Sequence, residues 1–442
     1  MKKYLLLPIV LLISACQDVG DNKPLLSNTK KKQPVIIVNP NRHLNIAEFW
    51  IDHLQEADEV IMDSKEIEEL NNDTAYKKRT LTYFKDIHKF YTSQWLKIKL
   101  LKNLNGLKKR VSYIEDDNRI SGNFYREIKK NMNLNGFSKK NVTTRYALVT
   151  GYCNQKIIPT EQSLLKKKNQ IYFDRNQNSA LDIGTPVAVL HTTVDGAWHY
   201  GIGPTSSGWV RDSDIAFGTR NEILNYLSSK NFIVTISAKS PLLIAGRYHD
   251  YVRMGVRIPY LMSVDDMMMV LIPTRDEEGG LVLSNATLKS LHTHKGYLPY
   301  TQKNILTQAF KFLHMPYGWG GMYGEQDCSK FLQEIYATTG LRIPRNSASQ
   351  SNMGNAQVEL NNFNKDSRHQ QLNKWAKAGV SILHLKGHIV LYLGNYKGEP
   401  FIIHTVWGSS SRHYALGRTA VTSLNFNGYL GKIDRITNLS LQ

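Results

Sequence analysis

The sequence predicts an α+β multidomain chain: a helical N-terminal region, two small β-barrels and a C-terminal domain of mixed helix and sheet. Three observations carry this. Residues 44–142 are rich in charge and repeat apolar side chains at helical spacing. From Thr143 onward, short β-type runs alternate with turn residues, the mark of small barrels. Beyond residue 290, a Gly-rich aromatic loop leads into a helical pattern at Cys328, and two strand patterns with a histidine each follow.

The chain opens with Lys2 and Lys3, a short apolar stretch, and small residues before Cys16. That stretch is too short to span a bilayer and reads as a signal peptide over residues 1–15. Ile13-Ser-Ala-Cys16 resembles a bacterial lipobox, which implies cleavage before Cys16 and lipidation of its sulfur. Gln17, and not aspartate, follows the cysteine, so the expected location is the periplasmic face of the outer membrane. Residues 16–43 form a tether, polar and unpatterned up to about Gln33.

In the 44–142 region, Asp63 or Ser64 reads as a helix cap, with acids in the first turn and Ile67 and Leu70 on one face. The stretch Tyr83–Leu101 reads as one long helix whose aromatics (Phe84, Phe90, Tyr91, Trp95) serve the core. Residues 143–220 hold Tyr146-Ala-Leu-Val, Pro186-Val-Ala-Val-Leu, Trp198-His-Tyr-Gly-Ile and Gly208-Trp-Val-Arg, strands of a first barrel. Residues 221–290 repeat the style as a second, more divergent barrel, and 291–442 form the last domain.

In that last domain Asp327-Cys-Ser precedes Phe331, Leu332, Ile335 and Tyr336 at helical spacing, so Cys328 stands at a helix N-terminus. Unpaired N–H groups and the helix dipole there favour thiolate over thiol. A small buried hydrophobe is the other reading of a lone cysteine. Gly387–Gly394 is a strand apolar on both faces with His388 near its start, and Phe401–Val406 is a second strand carrying His404. A short link joins them, so the two histidines can lie side by side, where one imidazole takes a thiol proton and another group orients it. His384 and His388 are four apart, but no glutamate follows the first and the region favours strand. No metal site is expected.

From about Tyr300 to the C-terminus, these motifs in this order resemble the NlpC/p60 family of cell-wall cysteine peptidases, which have a papain-like core. The matching parts are Pro316-Tyr-x-Trp-Gly-Gly, Asp327-Cys-Ser, Ile343-Pro-Arg-Asn-Ser-Ala-Ser-Gln350, Gly387-His-Ile-Val-Leu-Tyr-Leu-Gly394 and His404. The resemblance implies Cys328 as nucleophile, His388 as base and His404 as the residue that orients it. It implies Tyr317 beside the thiol, and Asp327, Ser329, Arg345 and Ser349 at the substrate's peptide stem. Many members have glycine where this chain has Lys330, which either points away along the helix or meets an acidic substrate. The barrels resemble bacterial SH3-like domains, and the helical region resembles a clip found in a multidomain subclass. In that subclass the first barrel overlies the cleft and favours stem peptides with a free N-terminal L-Ala. Asp195, Trp198 and Tyr200 are the candidates for that work here.

Three cysteines cannot build a disulfide framework in 442 residues: Cys16 goes to lipid, Cys328 to chemistry, and Cys153 reads as a buried small residue. Lysine and arginine number 56 against 37 acids, a formal charge of +19, which points to an acidic partner. No nucleic-acid recognition motif is present. The expected partners are peptidoglycan or released muropeptides, and a membrane through the lipid anchor. The expected activity is thiol-dependent cleavage of the γ-D-Glu–diaminopimelate bond by a monomer without a cofactor. The alternatives are an amidase, a cross-link endopeptidase, or an inert wall-binding lipoprotein.

Overall fold

The computed structural model describes residues 42–137, 139–354, 356–409 and 414–440. The signal peptide, Cys16 and the tether up to residue 41 lie outside the described residues. No helix among the described residues is long and apolar enough to cross a membrane.

The helical region divides between two cores. Helices α1 (Ala47–Ile51) and α2 (Ser64–Asn72) belong to the C-terminal domain: Trp50, Ile67 and Leu70 are buried with Tyr300, Phe312 and Phe331. Asp63 caps α2 through a capping box with Glu66, accepting from the backbone of Lys65 and Glu66. Val60–Met62 pairs with Tyr300–Thr301 and ties this segment to the same domain. Helices α3 (Ser93–Lys108) and α4 (Gly122–Asn131) instead cover the first sheet.

The long helix expected over Tyr83–Leu101 starts only at Ser93, where Thr92 caps it. Before it, Phe84 and Ile87 pack under helix α5 (Arg220–Ser228), and Phe90–Thr92 is a strand paired with Asn141–Thr143. Two of the aromatics read as core are solvent-facing: Phe90 is 52% exposed and Trp95 39%. Apolar spacing alone did not separate a helix from a strand-and-turn entry to one.

The first sheet has seven strands: β1 (Arg145–Val149), β2 (Cys153–Lys156), β3 (Gln177–Leu181), β4 (Pro186–Thr192), β5 (Trp198–Ile202), β6 (Ser207–Arg211) and β7 (Ile215–Gly218). Their order is β7-β1-β4-β5-β6-β2-β3, with antiparallel pairing throughout. The period of two divides each strand between two cores. Val187, Val189 and Val210 face inward with Cys153, while Leu190, Trp198, Tyr200 and Trp209 pack under α3 and α4. Cys153 is fully buried and unpaired in a disulfide.

A second seven-stranded antiparallel sheet spans Phe232 to Lys295 around Ile233, Leu242, Val270 and Leu288. Helices α6 (Gln302–Phe310) and α7 (Cys328–Ala337) then pack on a six-stranded sheet. The strands of the second sheet are β8 (Phe232–Thr235), β9 (Lys239–Ile244), β10 (Arg247–Arg253), β11 (Arg257–Val264), β12 (Met267–Arg275), β13 (Leu281–Lys289) and β14 (Thr293–Lys295); those of the six-stranded sheet are β15 (Gln357–Glu359), β16 (Ser381–Leu385), β17 (His388–Tyr396), β18 (Glu399–Ser409), β19 (Tyr414–Ser423) and β20 (Ile433–Asn438). The order is β15-β20-β16-β17-β18-β19. Ile389, Leu391 and Leu393 face one core and Val390 and Tyr392 another, so β17 is buried on both faces. A sheet covered on both sides leaves strand ends as the place where polar groups reach a cleft, and His388 is the first residue of β17.

Candidate active site

The loop before α7 brings two domains together. Gly320 and Gly321 have φ of +63° and +89°, where side chains are strained. A Cβ on Gly320 would lie 2.7 Å from Cγ of Gln177, and one on Gly321 would lie 2.7 Å from Cβ of Ala180. The Trp319-Gly-Gly run therefore lets β3 of the first sheet approach the loop backbone. Gln177 Nε2 donates to the Gly320 carbonyl at 3.3 Å, and the Tyr152 hydroxyl donates to the Gly321 carbonyl.

Asp327 caps α7, accepting from the Lys330 N–H at 2.9 Å. Cys328 is the first helical residue, half-buried, with its sulfur facing the Ile389 N–H next to His388. Its own N–H has no carbonyl four residues back in the helix to bond. The expected thiolate is not the resting form. Burial, and then the Asp327 carboxylate, push the thiol up to about 12, against the pull of the Ile389 N–H and Arg345. Burial first, and the anionic cap second, outweigh the helix start.

The β17–β18 hairpin aligns Leu391 with Ile403 and sets the two histidines side by side. His388 Nε2 lies 2.8 Å from His404 Nδ1, and His404 Nε2 lies 3.1 Å from Thr422 Oγ1 on β19. With His388 Nε2–H donating to His404, and His404 Nε2–H donating to Thr422, Nδ1 of His388 is left as an acceptor. Burial lowers His388 to about 4, and burial followed by His388 drives His404 well below the ordinary imidazole value. Both rings rest neutral.

Under the thiol lies a closed polar cluster. Arg345 donates from Nη1 to Asp327 Oδ1 (3.1 Å) and Ser329 Oγ (2.8 Å), and from Nη2 to Asp327 Oδ2 (2.7 Å). Its Nε donates to Ser179 Oγ of β3 at 3.0 Å. Ser329 Oγ donates to Asp327 Oδ1 at 3.0 Å, and the Gly320 N–H to Oδ2 at 3.0 Å. Burial opposes its charge, but the Arg345 guanidinium and these donors hold Asp327 below the usual carboxylate range. Asp327, Ser329 and Arg345 are thus brought together at the site, yet they are buried and bind one another. Ser349 lies in the first turn of a short helix capped by Asn346. Lys330 reaches neither solvent nor cleft: its Nζ donates to Asp182 of the first sheet at 2.8 Å and lies 3.7 Å from Glu334. Burial raises Glu334 to about 8 against the pull of Lys330.

The cleft rim is aromatic. Tyr317 stands beside the thiol, its phenol pushed well up by burial and then by Asp327 and Cys328. Phe173, on the loop before β3, meets Trp319 and Trp407 at ring separations of 5.5 and 5.3 Å, and Tyr172 meets Trp407 at 4.4 Å. The Arg175 guanidinium lies 4.4 Å from the centre of Trp319.

The three residues expected to line the cleft from the first barrel lie elsewhere. Trp198 and Tyr200 are buried under α3 and α4, because their strand turns that face to the helices. Asp195 shapes a hairpin tip, accepting from Thr193 Oγ1, the Ala197 N–H and Asn131 Nδ2. The segment that does reach the site is 172–182. Its signal was Tyr172-Phe-Asp-Arg175, an aromatic and charged run in a turn-rich stretch; Thr422 carried no signal beyond lying one strand after His404. Among the described residues no group of three or more His, Cys, Asp or Glu could hold a metal, and His384 pairs with Asp434 at 2.6 Å.

Comparison with known proteins agrees with this layout. The NlpC/P60 family model matches residues 314–412, and an SH3 domain model (SH3b1 type) matches 163–211. No curated protein matches. An NlpC/P60 endopeptidase from Photobacterium damselae subsp. piscicida aligns with a TM-score of 0.74 at 21% identity, over 89% of this chain and 96% of its own. An NlpC/P60 family protein from Bacillus cereus ATCC 10987 aligns with a TM-score of 0.51 at 18% identity, over 66% of this chain and 99% of its own. The chain carries an NlpC/P60 domain and an SH3 domain, and it shares the fold of these two proteins.

Proposed function

We propose that the protein is a cysteine peptidase that cleaves peptidoglycan stem peptides at the γ-D-Glu–diaminopimelate bond. The observation that carries this reading is the relay His388, His404, Thr422, with an acceptor nitrogen left on His388, and a thiol at a helix start whose sulfur faces the N–H of Ile389, the residue after His388. The family match over 314–412 and the fold shared with an endopeptidase support a hydrolase.

The resting thiol and imidazole are both neutral. On attack, His388 Nδ1 takes the thiol proton as Cys328 Sγ bonds to the scissile carbonyl carbon. The Cys328 N–H faces the oxyanion. His404 holds the His388 ring and is itself held by Thr422. The C–N bond then breaks, and His388 returns its proton to the leaving amine. Water, activated by the same imidazole, hydrolyses the thioester and frees the thiol. Tyr317 lines the cleft beside the thiol; Asp327, Ser329 and Arg345 act by fixing the helix start. In this reading the chain is a periplasmic monomer anchored through lipid on Cys16.

The test is mass spectrometry of products from L-Ala-γ-D-Glu-meso-diaminopimelate and from intact sacculi, with Cys328→Ala as control. Release of L-Ala-D-Glu from the tripeptide, absent in the control, is expected. Products cut at another bond would favour the amidase or cross-link reading, and no thiol-dependent product would sink the hydrolase.

A further inference from the structure

Among the described residues Arg175 has no counter-ion. Its neighbour in sequence, Asp174, is fully engaged: it accepts from Lys156 Nζ at 2.9 Å, the Leu164 N–H at 2.9 Å and the Asn176 N–H at 2.8 Å. The titratable groups that act on Arg175 are the Tyr317 phenol and Arg110, and neither is a carboxylate. Its guanidinium is half-buried against Trp319 and Phe173, and its Nε is fully buried without a hydrogen-bond partner. The Trp319 indole N–H, beside it, is likewise buried and unpartnered. A desolvated cation with open donors is costly unless something completes it. Tyr317 is an electrostatic neighbour of both Arg175 and the Cys328 thiol.

Four carboxylates of the two domains that meet here each have a cationic partner. Asp327 is held by Arg345, Asp182 by Lys330, Glu325 by Lys239, and Glu161 by Arg211. Among the described residues this rim therefore offers an unpaired cation, while each of these carboxylates has a cationic partner, the reverse of what a free substrate amine would need. Lys166, Lys167 and Lys168 on the same loop add to the positive field.

We propose that Arg175, supplied by the first-sheet domain, is a specificity-determining residue that receives a substrate carboxylate at the rim of the cleft. The proposal rests on the stem-peptide reading above. Two carboxylates of such a peptide have this chemistry: the α-carboxylate of the γ-linked glutamate, and a carboxylate of the diamino acid. A planar guanidinium stacked on an indole pairs with either through two parallel N–H bonds.

The experiment measures binding to full-length protein carrying Cys328→Ala, so that turnover is not needed. The peptides are the tripeptide, its analogue with the glutamate α-carboxylate amidated, and its analogue with the diamino acid amidated. One amidation is expected to weaken binding about tenfold or more, the size of a lost charge-assisted pair, and that analogue identifies the carboxylate. Adding Arg175→Gln should bring the carboxylate-to-amide ratio to near one, and Arg175→Lys should restore part of it. An unchanged ratio in Arg175→Gln, or an equal weakening of all three peptides, would overturn the proposal, since a packing role moves every ligand alike. Hydrolysis of the same peptides by the unsubstituted enzyme is scored separately. Arg175-dependent binding without hydrolysis would keep the proposal and reject the peptidase. Hydrolysis with an unchanged ratio would do the opposite, and neither binding nor hydrolysis would reject both.

Discussion

The floor and the rim of one cleft follow opposite rules. On the floor, the Asp327 carboxylate takes bonds from Lys330, Ser329, Gly320 and two nitrogens of Arg345, and Arg345 spends its remaining Nε on Ser179. On the rim, Arg175 Nε and Trp319 Nε1 are also buried and have no partner among the described residues. Both regions mix aromatic, cationic and backbone groups, and both join the first sheet to the C-terminal domain. They differ in completion. Saturated polar groups hold a shape, because removing one strands the others without water. Open ones keep donors that a ligand group can use.

Breaking the floor should have the largest effect. Arg345→Ala leaves Asp327 charged, buried and short of its partner, which should lower stability by about 3–5 kcal/mol. Denaturant unfolding checks this, and a loss under about 1 kcal/mol would erase the contrast between floor and rim. Next comes the seam between the domains. Gly320→Ala places a Cβ against Gln177 at a positive φ, and should cost about 1–3 kcal/mol by the same assay. Smaller again is the rim itself. Arg175→Gln gives up a cation–π contact and no ion pair, so unfolding should shift by about 1 kcal/mol or less.

The proposed catalytic pair, Cys328 and His388, sharpens the comparison through pH. His388 works as a base only when neutral. Its value is lowered to about 4 while the thiol is raised to about 12, so both groups stay in their neutral forms between those limits. As pH falls, kcat/KM should therefore hold through the ordinary imidazole range near 6.5 and decline only towards about 4. An acid limb centred at or above 6.5 would show that burial does not hold the ring neutral.

The parts of the site legible in the sequence are those encoded locally. Asp327-Cys-Ser ahead of a helical pattern, and two apolar strands each carrying a histidine, place Cys328, His388 and His404 from spacing alone, because cap, helix and hairpin are short-range structures. The helix break at Phe90–Thr92 was hidden, since apolar residues recur at similar spacing on both sides of it. Trp198 and Tyr200 looked available for a cleft because a strand has two usable faces; which face meets the helices is decided by packing under α3 and α4. The seam between the two domains was least legible. Ser179 is 166 residues from Arg345, and the docking of the 172–182 segment depends on the close approach that Gly320 and Gly321 permit. No local pattern records which domain surface meets which.

The most direct test of the central claim is to stop the reaction with acid within one turnover and weigh the intact protein. The account predicts a species heavier by the acyl fragment of the cleaved stem peptide, attached at Cys328 and missing in Cys328→Ala, which should also lose about a thousandfold or more in kcat. Normal turnover by Cys328→Ala, with no acylated protein in either form, would contradict it.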